Sequence, residues 1–216
     1  ATRLVSQPVI AVNRFEADLQ KPAALKIKTK LSDVPVIEVI DGQLVTNKYM
    51  WKPELDSDGF IKTNLDEDIL KIAVLNRYSI SQPAVALIRN FGLKEGAIAS
   101  SVAHDSHNIV AVGASDESLA RAFNLIIENK GGISAVTNTH EHILPLPVAG
   151  IMSDNDAFAI GKQYGKMDDL AKKMGSQLSA PYMTLSFMAL LVIPDIKLSD
   201  KGLFDGETFE FMDVYE

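Results

Sequence analysis

Two apolar runs between Gly96 and Gly113 flank a block of consecutive polar residues. Gly96-Ala-Ile-Ala-Ser-Ser-Val-Ala103 leads into His104-Asp105-Ser106-His107-Asn108, and Ile109-Val-Ala-Val-Gly113 follows. Short apolar runs bounded by turn formers read as strands of a buried sheet. The spacing therefore predicts a strand ending at Ala103 and another beginning at Ile109, joined by a polar turn. Half of the chain's 4 histidines lie in that turn. A loop that only connects two buried strands rarely needs such a density of proton-transfer and metal-ligand groups, so the turn is the first candidate site.

The neighbouring segments extend the sheet. Val36–Ile40 and Gln43–Tyr49 flank Asp41-Gly42, a hairpin signal in which Asp-Gly supplies positive φ angles. Ile69–Leu75 and Ala84–Phe91 are β-prone, and Phe91–Gly96 supplies a turn. Asp116–Asn129 reads as a helix: Ser115 can cap it, Asp116 and Glu117 suit its positive end, and Leu119, Ala122, Phe123, Ile126 and Ile127 share a face. Gly131-Gly132 should end it. Ile133–Val136 and His142–Leu146 form a second hairpin around Thr137–Glu141. A further helix, capped by Ser153 or Asp154, is expected to run to about Met174 and stop at Gly175. Met183–Pro194 is a buried strand or a helix; periodicity leaves both open. Residues 1–35, punctuated by Pro8, Pro22 and Pro35 and basic over Lys21–Lys30, read as a connecting arm, with the domain proper at 36–216. The expected class is α+β, with largely antiparallel sheet packed against about two substantial helices.

Bulk composition narrows the function. The 216 residues are 47% hydrophobic and 23% charged, ordinary for a globular domain able to bury a real core. A formal charge of −7 and a pI near 5.1 argue against a nucleic-acid binder, which needs a basic face, and against a role at an anionic membrane surface. No apolar run approaches the roughly 18 residues that span a bilayer. The chain has no cysteine, which removes disulfides and thiolate metal sites and, with 7 methionines, fits a reducing cytoplasm. It opens on Ala1-Thr-Arg-Leu-Val without an initiator Met or a signal-peptide pattern, and reads as a piece of a longer protein.

His104 and His107 lie three apart, so an unbroken strand would send them to opposite faces. They converge only if the backbone turns at Asp105-Ser106, which polar turn formers allow. Two readings stand. Asp105 could orient an imidazole, or the two imidazoles could meet a metal or a substrate proton. Alternatively, the side chains satisfy local backbone groups. His140-Glu141-His142 has a metal-ligand spacing but sits at a hairpin tip, where a solvated turn is the better reading. Asp66-Glu67-Asp68 reads as a solvated acidic turn. Gly-rich phosphate loops, His-Glu-x-x-His and Gly-x-Ser-x-Gly are missing. Ser106 beside His107 and Asp105 is no triad signal, because triad members come from distant segments.

Several segments, in order, resemble the C-terminal domain of bacterial adenine deaminases. They are Asp68–Val74, Gly92–Ser100, Val102–Ile109, Leu144-Pro-Leu-Pro-Val-Ala-Gly-Ile-Met-Ser-Asp154, Pro181–Phe187 and Leu198-Ser-Asp-Lys-Gly-Leu-Phe204, with the His-Asp-Ser-His-Asn run the sharpest. The resemblance covers about residues 36 to 211; the arm matches loosely around Val12–Phe15. It implies a parent amidohydrolase that converts adenine and water to hypoxanthine and ammonia. In such enzymes a divalent metal of the Mn, Fe or Zn type activates hydroxide at the mouth of a (β/α)8 barrel. A barrel needs about 250 residues in strand–helix alternation, and this chain has neither that length nor that pattern. His140 and His142 fall in a hairpin that departs from the family pattern and are not the barrel's ligands. The resemblance thus implies a non-barrel portion that holds no metal or other cofactor of its own. Its partners would be its own amidohydrolase barrel, adenine as the parent's substrate, and in one reading a second copy of itself. His104, Asp105, Ser106, His107 and Asn108 are then auxiliary catalytic candidates facing the barrel mouth. A stand-alone purine-binding module and a purely architectural or oligomerisation domain are the competing expectations.

Overall fold

A computed structural model describes residues 12–215. Among them are eleven strands and three helices. The strands are β1 (Val34–Val39), β2 (Thr46–Trp51), β3 (Leu70–Leu75), β4 (Ala84–Arg89), β5 (Ala97–Ser100), β6 (Ile109–Gly113), β7 (Gly132–Val136), β8 (Glu141–Pro145), β9 (Ile196–Ser199), β10 (Gly202–Asp205) and β11 (Glu210–Phe211). The helices are α1 (Asp116–Glu128), α2 (Ala157–Lys173) and α3 (Pro181–Phe187). Eight strands form one sheet in the order β2-β1-β4-β3-β6-β5-β7-β8, and β11-β10-β9 form a second. All pairings are antiparallel except β1 with β4. The class is the α+β architecture expected, with no barrel among the described residues.

Every residue of β3, β5, β6 and β7 is buried. Apolar runs such as Ile109-Val-Ala-Val therefore replace the alternation of a sheet with one wet face. α1 packs on β5, β6 and β7, and the turn at Pro22–Leu25 packs on α1. α3 lies on β5 and β6, and the small sheet covers β2, β3 and β4. Lys71, in the middle of β3, reaches the start of α1, where its ammonium meets Asp116 at 2.6 Å and the Leu25 carbonyl at 3.1 Å. That pairing makes a buried lysine tolerable.

α1 begins where the sequence places it, with the Ser115 hydroxyl accepting the Ser118 amide at 3.2 Å and Asp116 and Glu117 in the first turn. The left-handed residue after it is Lys130, at φ 52°, ahead of the glycine pair. Gly131 is required for another reason: a Cβ there would collide with the backbone of Gly150.

Three expected boundaries are corrected, and one open segment is settled. β2 starts at Thr46 rather than Gln43, because Gln43 donates back to Ile40 and widens the turn. β5 ends at Ser100 rather than Ala103: the Val102 amide turns onto the Ser100 hydroxyl, and Ser101 bridges the Gly132 amide and the Gly150 carbonyl. α2 starts at Ala157 with Asp156 as its cap, not Ser153 or Asp154, since the Asp156 carboxylate accepts from the Ala159 amide at 3.0 Å. The open segment Met183–Pro194 resolves into α3, with Pro181 in its first turn, followed by turns leading to β9. Of the expected arm, residues 12–33 carry no strand, although Leu25 and Ile27 enter the core; Pro8 lies outside the described residues. No described helix is long and apolar enough to cross a membrane.

Ile72 is fully buried at the centre of this arrangement. Ile72→Ala is expected to cost about 2–5 kcal/mol, read as a lowered urea midpoint at unchanged m-value.

Candidate functional site

Sheet register brings several loops to one end. Leu75 pairs with Ile109, Ser100 with Ile133, and Gly132 with Pro145. The β3–β4 loop, the β5–β6 loop that holds His104–Asn108, and the β8–α2 loop therefore emerge together. Residues 12–16 cross the same end: the Val12 carbonyl accepts from the Ala149 amide at 2.9 Å, and the Glu16 amide donates to the Arg77 carbonyl at 2.7 Å.

The polar turn is tied at both ends. The His104 amide donates to the Ser186 carbonyl at 3.0 Å, and the His107 amide to the Ala103 carbonyl at 2.7 Å. The peptide between His104 and Asp105 is cis, and His107 has a φ of 53°. A left-handed residue other than glycine is uncommon, though histidine adopts that region more readily than most. The expected turn at Asp105-Ser106 does bring the two imidazoles together, edge-on, with ring centroids 6.0 Å apart. The His104 ring also stacks on Phe187 at 4.7 Å.

The five residues then diverge. His104 faces a pocket of about 290 Å³ whose walls include Ile160 and Tyr164 of α2 and Tyr182 and Met183 of α3. Asp105 and Ser106 are exposed and line a separate pocket of about 330 Å³ with Leu190, Val192, Lys201 and Phe211. Among the described residues no hydrogen bond joins Asp105 to either imidazole. Asn108 is buried, and its side-chain oxygen accepts the Arg77 amide at 3.4 Å. His107 is half-buried, with Nδ1 enclosed and unpaired. Burial holds its pKa below the usual 6.5, and the neighbouring His104 and Arg77 push it the same way against the opposing pull of Asp105.

Sequence reasoning passed over Arg77 and Tyr78. Arg77 is 4% exposed, its guanidinium lying 4.6 Å from the Tyr78 ring centroid and 5.7 Å from that of Phe15. Nη2 donates to the Tyr78 hydroxyl, which in turn donates to the Ser106 carbonyl, each at 2.9 Å. The available signal was an arginine placed just after a strand that is apolar apart from Lys71. Nothing in the primary pattern tied it to a turn 28 residues away.

The second histidine pair stays apart. His140 and His142 stack with centroids 6.3 Å apart at the β7–β8 tip, where Thr139 engages His140 and Arg121 engages Glu141. Among the described residues no three His, Asp or Glu side chains converge as metal ligands. The divalent metal implied by the family resemblance thus finds no fitting donor set among the described residues.

An α+β domain whose buried sheet delivers a histidine turn to one open end is the class that fold and site define. Residues 43–210 match the adenine deaminase C-terminal domain, and the chain belongs to that family. It is 49% identical over 206 residues to the adenine deaminase of Salinibacter ruber, covering 94% of this chain and 37% of that protein. Against the adenine deaminase of a Sulfurovum species the identity is 48% over 202 residues, covering 93% and 36%. The Methanosarcina acetivorans adenine deaminase is 46% identical over 190 residues, covering 87% and 34%. The chain spans a little over a third of the length of these curated relatives.

Two outcomes are expected of the chain itself. A histidine whose folded pKa lies below 6.5 leaves stability complete above that pH and erodes it below, because the unfolded state takes up the proton first. From about pH 8 to about pH 5.5 the urea midpoint should therefore fall further in the wild type than in His107→Gln. Elemental analysis after dialysis against Mn, Fe or Zn should find less than one equivalent of metal bound.

Proposed function

We propose that this chain is the C-terminal portion of a longer adenine deaminase. The reaction is adenine plus water to hypoxanthine plus ammonia, carried out at a metal-dependent barrel that precedes these residues. The sheet end bearing His104–Asn108 packs on that barrel and helps close its purine pocket. Composition without cysteine supports a cytoplasmic setting for the whole enzyme.

One observation carries the reading. Six buried side-chain atoms among the described residues lack a hydrogen-bond partner: Asn13 Oδ1, Arg77 Nε and Nη1, Ser81 Oγ, His107 Nδ1 and Arg89 Nε. All but Arg89 Nε belong to the arm or to the loops at the histidine end. Folded proteins leave few such groups unsatisfied, so their concentration singles this end out as one whose polar groups are arranged for something other than local packing. Exposed apolar side chains ring the same end, among them Ile80, Met152, Met183 and Phe158, the last 88% exposed. Residues 12–16 of the arm cross the same end.

On this reading His104 and His107 form one wall of the active site, and a largely unprotonated His107 is suited to accept a proton. In the full-length protein, His104→Ala or His107→Ala should lower kcat/KM by about 10²-fold, the lower end of general acid–base contributions, while the metal content stays unchanged. Unchanged kinetics in both variants would sink the proposal.

A second reading draws on the pocket beside His104, whose roughly 290 Å³ lies near the lower end of small-molecule sites. Here the chain binds a purine without chemistry. Saturable heat on titrating adenine into the chain alone, abolished by Tyr164→Ala, would favour it.

A further inference from the structure

The polar atoms beneath the histidine turn form a connected set that no histidine requires for its own folding. Arg77 lies just beyond the end of the buried strand β3, at the start of the loop to β4. Its backbone amide reaches the Asn108 side chain, and its Nη2 reaches Tyr78, whose hydroxyl holds the Ser106 carbonyl. One residue thus touches the turn at two points, near the tip through Tyr78 and at the root through Asn108. The opposite side of the guanidinium is closed by Gly150, where a Cβ would collide with Nη1, and by the Phe15 ring. Among the described residues no carboxylate pairs with it. The attraction of two aromatic faces replaces an ion pair.

We propose that Arg77 and Tyr78 are positioning residues, a guanidinium–phenol brace that fixes the His104–Asn108 turn and keeps a positive charge beside the His107 ring.

A buried arginine without an acidic partner is costly, and a carboxylate at that place would lower the cost. It would also pull the neighbouring imidazole toward its protonated form. An unneutralised guanidinium does the reverse, disfavouring a second positive charge nearby. The charged and titratable groups facing His107 are His104 and Asp105 on its own turn and Arg77 on the β3–β4 loop. Arg77 is the one permanent cation of the three, because guanidinium does not lose its proton at accessible pH. Its aromatic packing leaves that charge in place where an ion pair would cancel it. The brace and the charge therefore come from one side chain: geometry through Tyr78, electrostatics through proximity to the ring.

The inference rests on the active-site reading for its consequence in turnover, yet it is tested on this chain alone. The measurements are imidazole NMR titration of His107 and amide hydrogen exchange across 104–108, on the wild type, Arg77→Met, Arg77→Lys and Tyr78→Phe. Tyr78→Phe removes one hydroxyl from a half-buried ring, so the fold persists. The amides of His107 and Asn108 should then exchange about tenfold faster, while the thermal midpoint moves little. In Arg77→Met the His107 midpoint should rise toward 6.5, and Arg77→Lys, which keeps the charge, should hold it down. Unchanged exchange in Tyr78→Phe overturns the brace, and this holds even if Arg77→Met fails to fold. A His107 midpoint that stays put in a folded Arg77→Met, or that rises equally in Arg77→Lys, overturns the electrostatic role. The active-site reading is tested separately, by kinetics of the histidine variants in the full-length protein, so either idea can fail while the other stands.

Discussion

Every residue of four adjacent strands, β3, β6, β5 and β7, is buried, and the remaining architecture answers to that constraint. A sheet buried on both faces needs a layer on each. α1 supplies one, while α3 and the small β9–β11 sheet supply cover elsewhere on the sheet. Backbone groups within the strands are satisfied by the ladder, so polar side chains have little place among them. Lys71 is admitted only because Asp116 meets it at the start of α1. Chemistry is thereby driven out of the sheet and collected where the strands end.

At the histidine end the physical situation reverses. Loops there carry more polar atoms than local partners can satisfy, and aromatic rings are used where acids are missing. Arg77 is packed against Tyr78 and Phe15, His104 against Phe187. Burial, with Arg77 and His104 nearby, disfavours protonation of His107. It also leaves enclosed polar atoms of Arg77, Ser81 and His107 without hydrogen-bond partners. The pockets on either side of the turn give that surface relief into which a neighbouring domain can fit.

Much of the fold was legible in the primary pattern. Apolar runs at Ile69–Leu75, Ala84–Phe91 and Ile109–Gly113 became β3, β4 and β6, and the face of α1 followed from the spacing of Leu119, Phe123 and Ile126. Boundaries were less legible where side chains competed with the ladder. Ser100 and Ser101 end β5 early by drawing amides and a carbonyl onto their hydroxyls, an outcome that depends on Gly132 and Gly150 being near. The cap of α2 fell on Asp156 although Ser153 and Asp154 were equally good cap types, because only Asp156 sits where the helix amides begin to point outward. Met183–Pro194 was ambiguous because an apolar run of that length suits a strand and a buried helix alike.

The sequence by itself determined that the chain folds around a buried sheet and that a polar, histidine-bearing turn at His104–Asn108 joins two of its strands. It also carried the resemblance to adenine deaminases on ordered motifs, and membership in the family of their C-terminal domain follows from the match over residues 43–210. These properties lie in local composition and order, which a linear reading preserves. Tertiary structure alone decided which way each residue of the turn faces and that Arg77 and Tyr78 stand beneath it. It also decided that the arm, the turn and the orphaned polar atoms share one end of the sheet. Those outcomes depend on strand register, which brings residues tens of positions apart into contact and has no counterpart in spacing along the chain.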